Sequence, residues 1–101
     1  MAPVDFQIKW TLAAREDFQD ILLFIAADNP EAALNVGDQI EHRIDQLQKY
    51  PESGPVLPEE PEGEYRQIVA GNYRVIYRIH HEENAVEIKR LWHGARGEPE
   101  I

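Results

Sequence analysis

Apolar and polar residues alternate one for one near the start of the chain: Val4, Phe6, Ile8 and Trp10 are interleaved with Asp5, Gln7 and Lys9. A period of two is that of a strand with one buried face. The period then lengthens. Ala14, Phe18, Ile21 and Ile25 recur at four, three and four residues, and Ala33, Val36, Ile40, Ile44 and Leu47 at three, four, four and three. Each set forms one stripe of an amphipathic helix. Thr11 is placed to cap the first helix, with Glu16 and Asp17 expected in its first turn near the favourable end of the dipole. Asp28-Asn29-Pro30 stops that helix and starts the next, because Asn is a good N-cap and Pro suits the first helical position. The second helix should end at Tyr50-Pro51, since the residue before a proline avoids helical angles. Two helices joined by so short a break make an antiparallel hairpin.

The period of two returns after residue 64. A strand over 65–69 leads through Ala70-Gly71-Asn72, a turn rich in residues that accept positive φ, into a second over 73–80. There Tyr73, Val75, Tyr77 and Ile79 share one face, and Arg74, Ile76, Arg78 and His80 the other. Glu82-Glu83-Asn84 makes another turn into a strand over 86–92. Its alternation slips near Arg90-Leu91, which predicts a bulge. Between helices and strands, residues 51–63 hold Pro51, Pro55, Pro58 and Pro61 with Glu52, Glu59, Glu60 and Glu62, an acidic loop stiffened by proline. The expected architecture is α+β: an N-terminal helical hairpin packed on one face of a small antiparallel β-sheet, as a single domain over residues 1–101. Arg74 and Arg78 would stand on the uncovered face.

Charge changes the picture in one respect. The chain has 101 residues and a net charge of −9. Residues 1–64 carry a balance of −10, whereas residues 65–96 carry +3 through Arg66, Arg74, Arg78, Lys89, Arg90 and Arg96. Such acidity argues against general affinity for nucleic acid. An anionic partner must meet the C-terminal third. The absence of cysteine excludes disulfides, thiolate metal sites and cysteine nucleophiles and fits a reducing compartment. No apolar run is long enough to span a membrane and no signal peptide is recognisable, so a cytoplasmic location without membrane partners is expected.

The segments "YPESGP", "YRQIVAGNYRVIYRI" and "VEIKRLWHGAR", following a helical hairpin, resemble the RelE/ParE toxins of bacterial type II toxin–antitoxin systems. The resemblance extends over roughly residues 5–96, and "NYRVIYRI" and "LWHGAR" are its most specific parts. It implies a toxin neutralised by a cognate antitoxin in a hetero-oligomer, with no cofactor and no metal. It also implies one of two activities. RelE-like members are ribosome-dependent, metal-independent endoribonucleases that cut mRNA; ParE-like members poison DNA gyrase and block replication, and do so by binding. RNA cleavage needs a base, an acid and cations at phosphorus. Arg66, Arg74, His93 and Arg96 are the candidates for that set. It is incomplete, because Gly94 follows His93 and no tyrosine follows Tyr77. The "HGAR" ending and the acidic surface favour the ParE-like branch. In that case Arg74, Arg78, Arg90, His93 and Arg96 are candidates for partner contact, and an inactive toxin that only binds its antitoxin is a third reading.

Each of these residues has an ordinary alternative. Arg74 and Arg78 are also what the wet face of any antiparallel strand carries, or they pair with the chain's own acidic loop. His93 would otherwise fix the tail through backbone hydrogen bonds. His80-His81 is a weak metal pair, since strand neighbours point to opposite faces. Trp10 and Trp92 read as core, and Glu59, Glu60 and Glu62 as solvated loop carboxylates. The back of the hairpin and the open sheet edge offer docking places for an antitoxin peptide.

Overall fold

Thr11 separates the two periodicities. It follows β1 (Gln7–Trp10) in an extended conformation, and its hydroxyl accepts a hydrogen bond from the Ala14 amide at 3.0 Å, capping α1 (Leu12–Ala26). The computed structural model describes residues 5–94, so Val4 lies outside the described residues. Because α1 begins at Leu12, its first turn holds no acid, and Glu16 and Asp17 fall one turn later than expected. Asn29 accepts from the Ala32 amide at 3.1 Å and caps α2 (Pro30–Asp45), with Pro30 opening the helix. The chain then tightens into a 3-10 turn, Gln46–Gln48, before Pro51. The buried faces are the expected stripes. Ala14, Ile40, Ile44 and Leu47 enter the core, with Phe18, Ile21 and Val36 packed against it.

Three strands follow: β2 (Tyr65–Ala70), β3 (Tyr73–His80) and β4 (Ala85–His93). The order across the sheet is β1-β4-β3-β2. The β2–β3 turn is built on Gly71 at φ +60°, with Ala70 facing Tyr73, as a two-residue turn with glycine first requires. Asn84, at φ 50°, ends the short 3-10 turn His81–Glu83 before β4. The sheet is mixed and not wholly antiparallel, because β1 runs parallel to β4. A parallel pair needs a long crossover, and here the helical hairpin, the loop and two further strands lie between the partners. No local signal in the sequence marks such a pairing.

The slip in β4 is real. Ile76 faces Arg90 while Tyr77 faces Ile88, which leaves Lys89 as the extra residue. The Thr11 hydroxyl donates to the Lys89 carbonyl at 2.9 Å, so the residue that caps α1 also secures the bulge. Beyond it, the inward positions pass from Val86 and Ile88 to Leu91.

The proline-rich loop is more ordered in purpose than its composition suggests. The Leu57 amide donates to the Tyr65 carbonyl at 2.9 Å, the Gln67 amide to the Pro55 carbonyl at 3.0 Å, and Val56 bridges to Arg66. This run therefore occupies the outer edge of β2, and Arg43 Nε donates to the Val69 carbonyl at 3.0 Å further along. Of the two sheet edges, the one at β2 is therefore filled by the chain itself. Tyr77 pins the start of the loop: its hydroxyl donates to the Pro51 carbonyl at 2.7 Å and accepts from the Gly54 amide at 3.0 Å. A Cβ at Gly54 would collide with the Gln67 carbonyl oxygen and lie 2.6 Å from the Tyr77 hydroxyl, which explains the glycine of "YPESGP". Leu57 and Ile76 are fully buried on the side of the sheet away from the helices, so that face is only partly wet.

Candidate functional site

Residues at the β2–β3 turn meet the end of β4. Register places Tyr73 opposite His93 and Arg74 opposite Trp92, and the Gly94 amide donates to the Asn72 carbonyl at 2.8 Å. The His93 ring packs edge-on against Tyr73 with centroids 5.1 Å apart. Tyr73, Arg74, His93 and Gly94, with Val69 and the turn residues Gly71 and Asn72, line a shallow hollow of about 340 Å³. His93 also lines a second hollow, of about 420 Å³, between α1 and the end of β4. Ile21, Phe24, Ile25 and Leu91 give that groove its apolar character, and Asp17 and Asp20 stand at its rim. Phe24 is 82% exposed there.

Among the four catalytic candidates, Arg74 and His93 both line the hollow at the β2–β3 turn, but from opposite faces of the sheet, because His93 faces Tyr73 and Arg74 faces Trp92. Arg66 is not with them. It faces Tyr77, four residues along β3 from Tyr73, or roughly 13 Å at strand rise. Its guanidinium donates to the Gly54 carbonyl at 2.7 Å and the Glu52 carbonyl at 3.4 Å, which makes it a fastener of the loop. Arg96 lies outside the described residues.

Arg74 is held on three sides. Its Nε donates to Gln67 Oε1 at 2.6 Å, and its terminal nitrogens grip Glu59 as a fork at 2.9 and 2.7 Å. The Arg74 guanidinium keeps the Glu59 carboxyl below the usual carboxylate range. Glu59 is therefore not the solvated loop carboxylate its surroundings suggested. Arg78 pairs with Glu64 at 2.7 Å. Arg74 thus takes a partner from the chain's own acidic loop, one of the alternatives that alternation had left open, and Arg78 takes Glu64 just after it.

Arg90 turns the other way. The bulge beside it carries its side chain to α1, where Nε and Nη2 reach Asp17 at 2.7 and 3.0 Å and the Leu91 amide donates to the same carboxylate at 3.0 Å. The Arg90 guanidinium also lies 6.0 Å from the Trp92 ring centre. Asp17 was invisible as a site residue in the sequence, because its partners are 73 and 74 positions away. His80 and His81 face different carboxylates, Glu87 at 3.4 Å and Glu52 at 3.7 Å. Trp10 packs at the core margin against Phe18, with ring centres 5.3 Å apart.

In chemical terms, the turn end offers an imidazole on one face of the sheet and, on the other, a guanidinium already holding a carboxylate. The profile of the family described as "ParE toxin of type II toxin-antitoxin system, parDE" matches residues 8–97. The chain belongs to this toxin family. Solved structures agree with the fold. The toxin superposes with a TM-score of 0.71 on a chain of the chromosomal ParDE system from P. aeruginosa, at 22% identity over 87% of this chain and 95% of that one. It matches a chain of the RelBE2 toxin–antitoxin complex from Mycobacterium tuberculosis at 0.65 and 26% identity, covering 89% and 99% of the two chains. The isolated RelE toxin from E. coli gives 0.65 at 15% identity, over 92% and 88%. No curated protein sequence matches. Among the described residues, no helix is long and apolar enough to cross a membrane.

Proposed function

We propose that this toxin acts by binding DNA gyrase and blocking replication, and that a cognate antitoxin silences it. The observation that carries this reading is the engagement of Arg74. A nuclease needs a cation ready for the phosphate as charge builds on it. Here all three guanidinium nitrogens are committed to Glu59 and Gln67. The net charge of −9 further opposes approach to a ribosome's RNA. Membership of the ParE family points the same way. The groove between α1 and β4 suits an antitoxin segment with apolar side chains for Ile21, Phe24 and Ile25 and a basic one for Asp20.

Ribosome-dependent mRNA cleavage is the second reading, favoured by Tyr73, Arg74 and His93 all lining the hollow at the sheet end, though Arg74 does so from the opposite face. Purified toxin incubated with gyrase and supercoiled DNA, and separately with translating ribosomes, distinguishes them. Accumulated cleaved DNA complexes without mRNA cuts are expected. Cuts in ribosome-bound mRNA with no effect on gyrase would overturn the gyrase reading, and neither product would leave a toxin that only binds its antitoxin.

A further inference from the structure

The outer face of the helical hairpin carries two stripes beside the line where α1 and α2 meet. On α1 the stripe is Leu12, Arg15, Gln19 and Leu23, and on α2 it is Leu34, Asp38, Glu41 and Asp45, each at helical spacings of three and four. Both stand roughly 130° round their helix from the buried stripe. All eight side chains are exposed, with Leu12 at 72%, Leu23 at 62% and Leu34 at 71%. Gly37 fixes how the stripes align, because it packs between Phe18 and Leu22, where a Cβ would lie 3.8 Å from Phe18 Cζ and 3.3 Å from Leu22 Cδ2. Counting outward from that contact in an antiparallel hairpin sets Leu23 level with Leu34 near the tip and Arg15 level with Glu41, one turn from Asp45, at the open end. There the helices and β1 enclose a hollow of about 390 Å³, with Ile44 as its buried floor and Trp10 and Phe18 as its walls. Arg15 stands on the α1 side of this hollow, and Glu41 and Asp45 on the α2 side. Among the described residues, none of these three charges forms an ion pair.

We propose that this face pairs with the same face of a second copy of the chain. A two-fold axis along the line between the helices lays α1 of one copy on α2 of the other at unchanged height, since that rotation exchanges left for right without reversing helix direction. Each stripe then meets the other. Leu23 faces the partner's Leu34, Arg15 falls against the partner's Glu41 and Asp45, and Leu12 approaches the partner's apolar hollow. Every contact occurs twice. The charges select this occupant, because one cation level with two anions across the line becomes self-complementary under the rotation, and a second copy satisfies both signs at once. The net charge of −9 repels copies at a distance, but salt near 0.15 M screens that repulsion beyond about 8 Å while contacting pairs persist. The pairing uses no residue of the α1–β4 groove or of the turn-end hollow, so it is independent of the toxin's target.

Sedimentation equilibrium of the full-length toxin from about 1 μM to about 1 mM, in salt near 0.15 M, should show monomer and dimer in exchange. Leu34→Gln removes an exposed apolar contact from both halves of the interface and should weaken the dimer about tenfold. Charge reversal is the sharper test. Arg15→Glu alone, and Glu41→Arg/Asp45→Arg alone, each set like charges against one another and should be monomeric over the same range. Mixed in equal amounts, they should form a one-to-one dimer, because both meetings of the stripes are then again of opposite sign. Thermal melts establish that every variant is folded. A parent that stays monomeric throughout, or charge-reversed proteins that dimerise alone or fail to combine when mixed, would overturn the proposal and leave this face to an antitoxin segment.

Discussion

At the scale of single residues, the Tyr77 hydroxyl does more than its position in a core strand implied. Alternation placed its ring under the helices, which is where it lies, but could not reveal that its oxygen also fastens a loop more than twenty positions upstream. Tyr77→Phe keeps the ring and leaves the Gly54 amide and the Pro51 carbonyl short of a partner, and should cost roughly 1–3 kcal/mol in denaturant unfolding. The phenol's titration gives a second signature. Burial raises its pKa above the ordinary value near 10, so the folded state retains the proton where the unfolded chain releases it. Stability is therefore full below about pH 10 and falls as pH rises above it. The Tyr77→Phe protein should lack that part of the alkaline decline, which denaturant melts at increasing pH would measure. Gly54→Ala should be at least as damaging, since the clash is with backbone and cannot be relieved by a side-chain rotation.

At the scale of elements, both helices, their caps, the glycine turn and the bulge were legible, because each depends on residues within a few positions of one another. The parallel pairing of β1 and the docking of α1 on β4 were not, because they join residues far apart in sequence. Asp17 is the main polar link in that docking. It accepts from both Arg90 and the Leu91 amide at a half-buried junction, so Asp17→Ala should destabilise by roughly 2 kcal/mol and Asp17→Asn, which retains an acceptor, by less. Equilibrium unfolding of both variants would decide whether the junction is structural. The loop over residues 58–64 responds to acid instead. Glu59 has a lowered pKa in the fold, so its attachment is complete above the ordinary carboxylate value and is lost as pH falls through the folded one. Amide nitrogen relaxation of residues 58–64 should therefore show motion that rises as pH is lowered below the ordinary carboxylate value, while a Glu59→Gln protein is equally mobile above and below it.

At the scale of the molecule, the −9 charge and the cationic C-terminal third first read as opposed regions, but the fold folds one onto the other. Arg74, Arg78 and Arg90 each hold a carboxylate supplied by the N-terminal two thirds of the chain. The surface left with the clearest means of attracting a protein is then apolar: the groove of Ile21, Phe24, Ile25 and Leu91, with Phe24 almost fully in solvent. A large exposed aromatic beside a preformed groove contributes to association and little to folding. Phe24→Ser should accordingly weaken binding of the cognate antitoxin about tenfold or more by calorimetry, while unfolding changes by no more than about 0.5 kcal/mol. Leu91→Ala, at the buried floor of the same groove, provides the contrast, because it removes core volume and should cost about 2–5 kcal/mol in stability. An antitoxin that binds the Phe24→Ser protein as tightly as the parent does not use this groove, and its footprint would then have to lie on another surface, such as the outer face of the helical hairpin around Leu23 and Leu34.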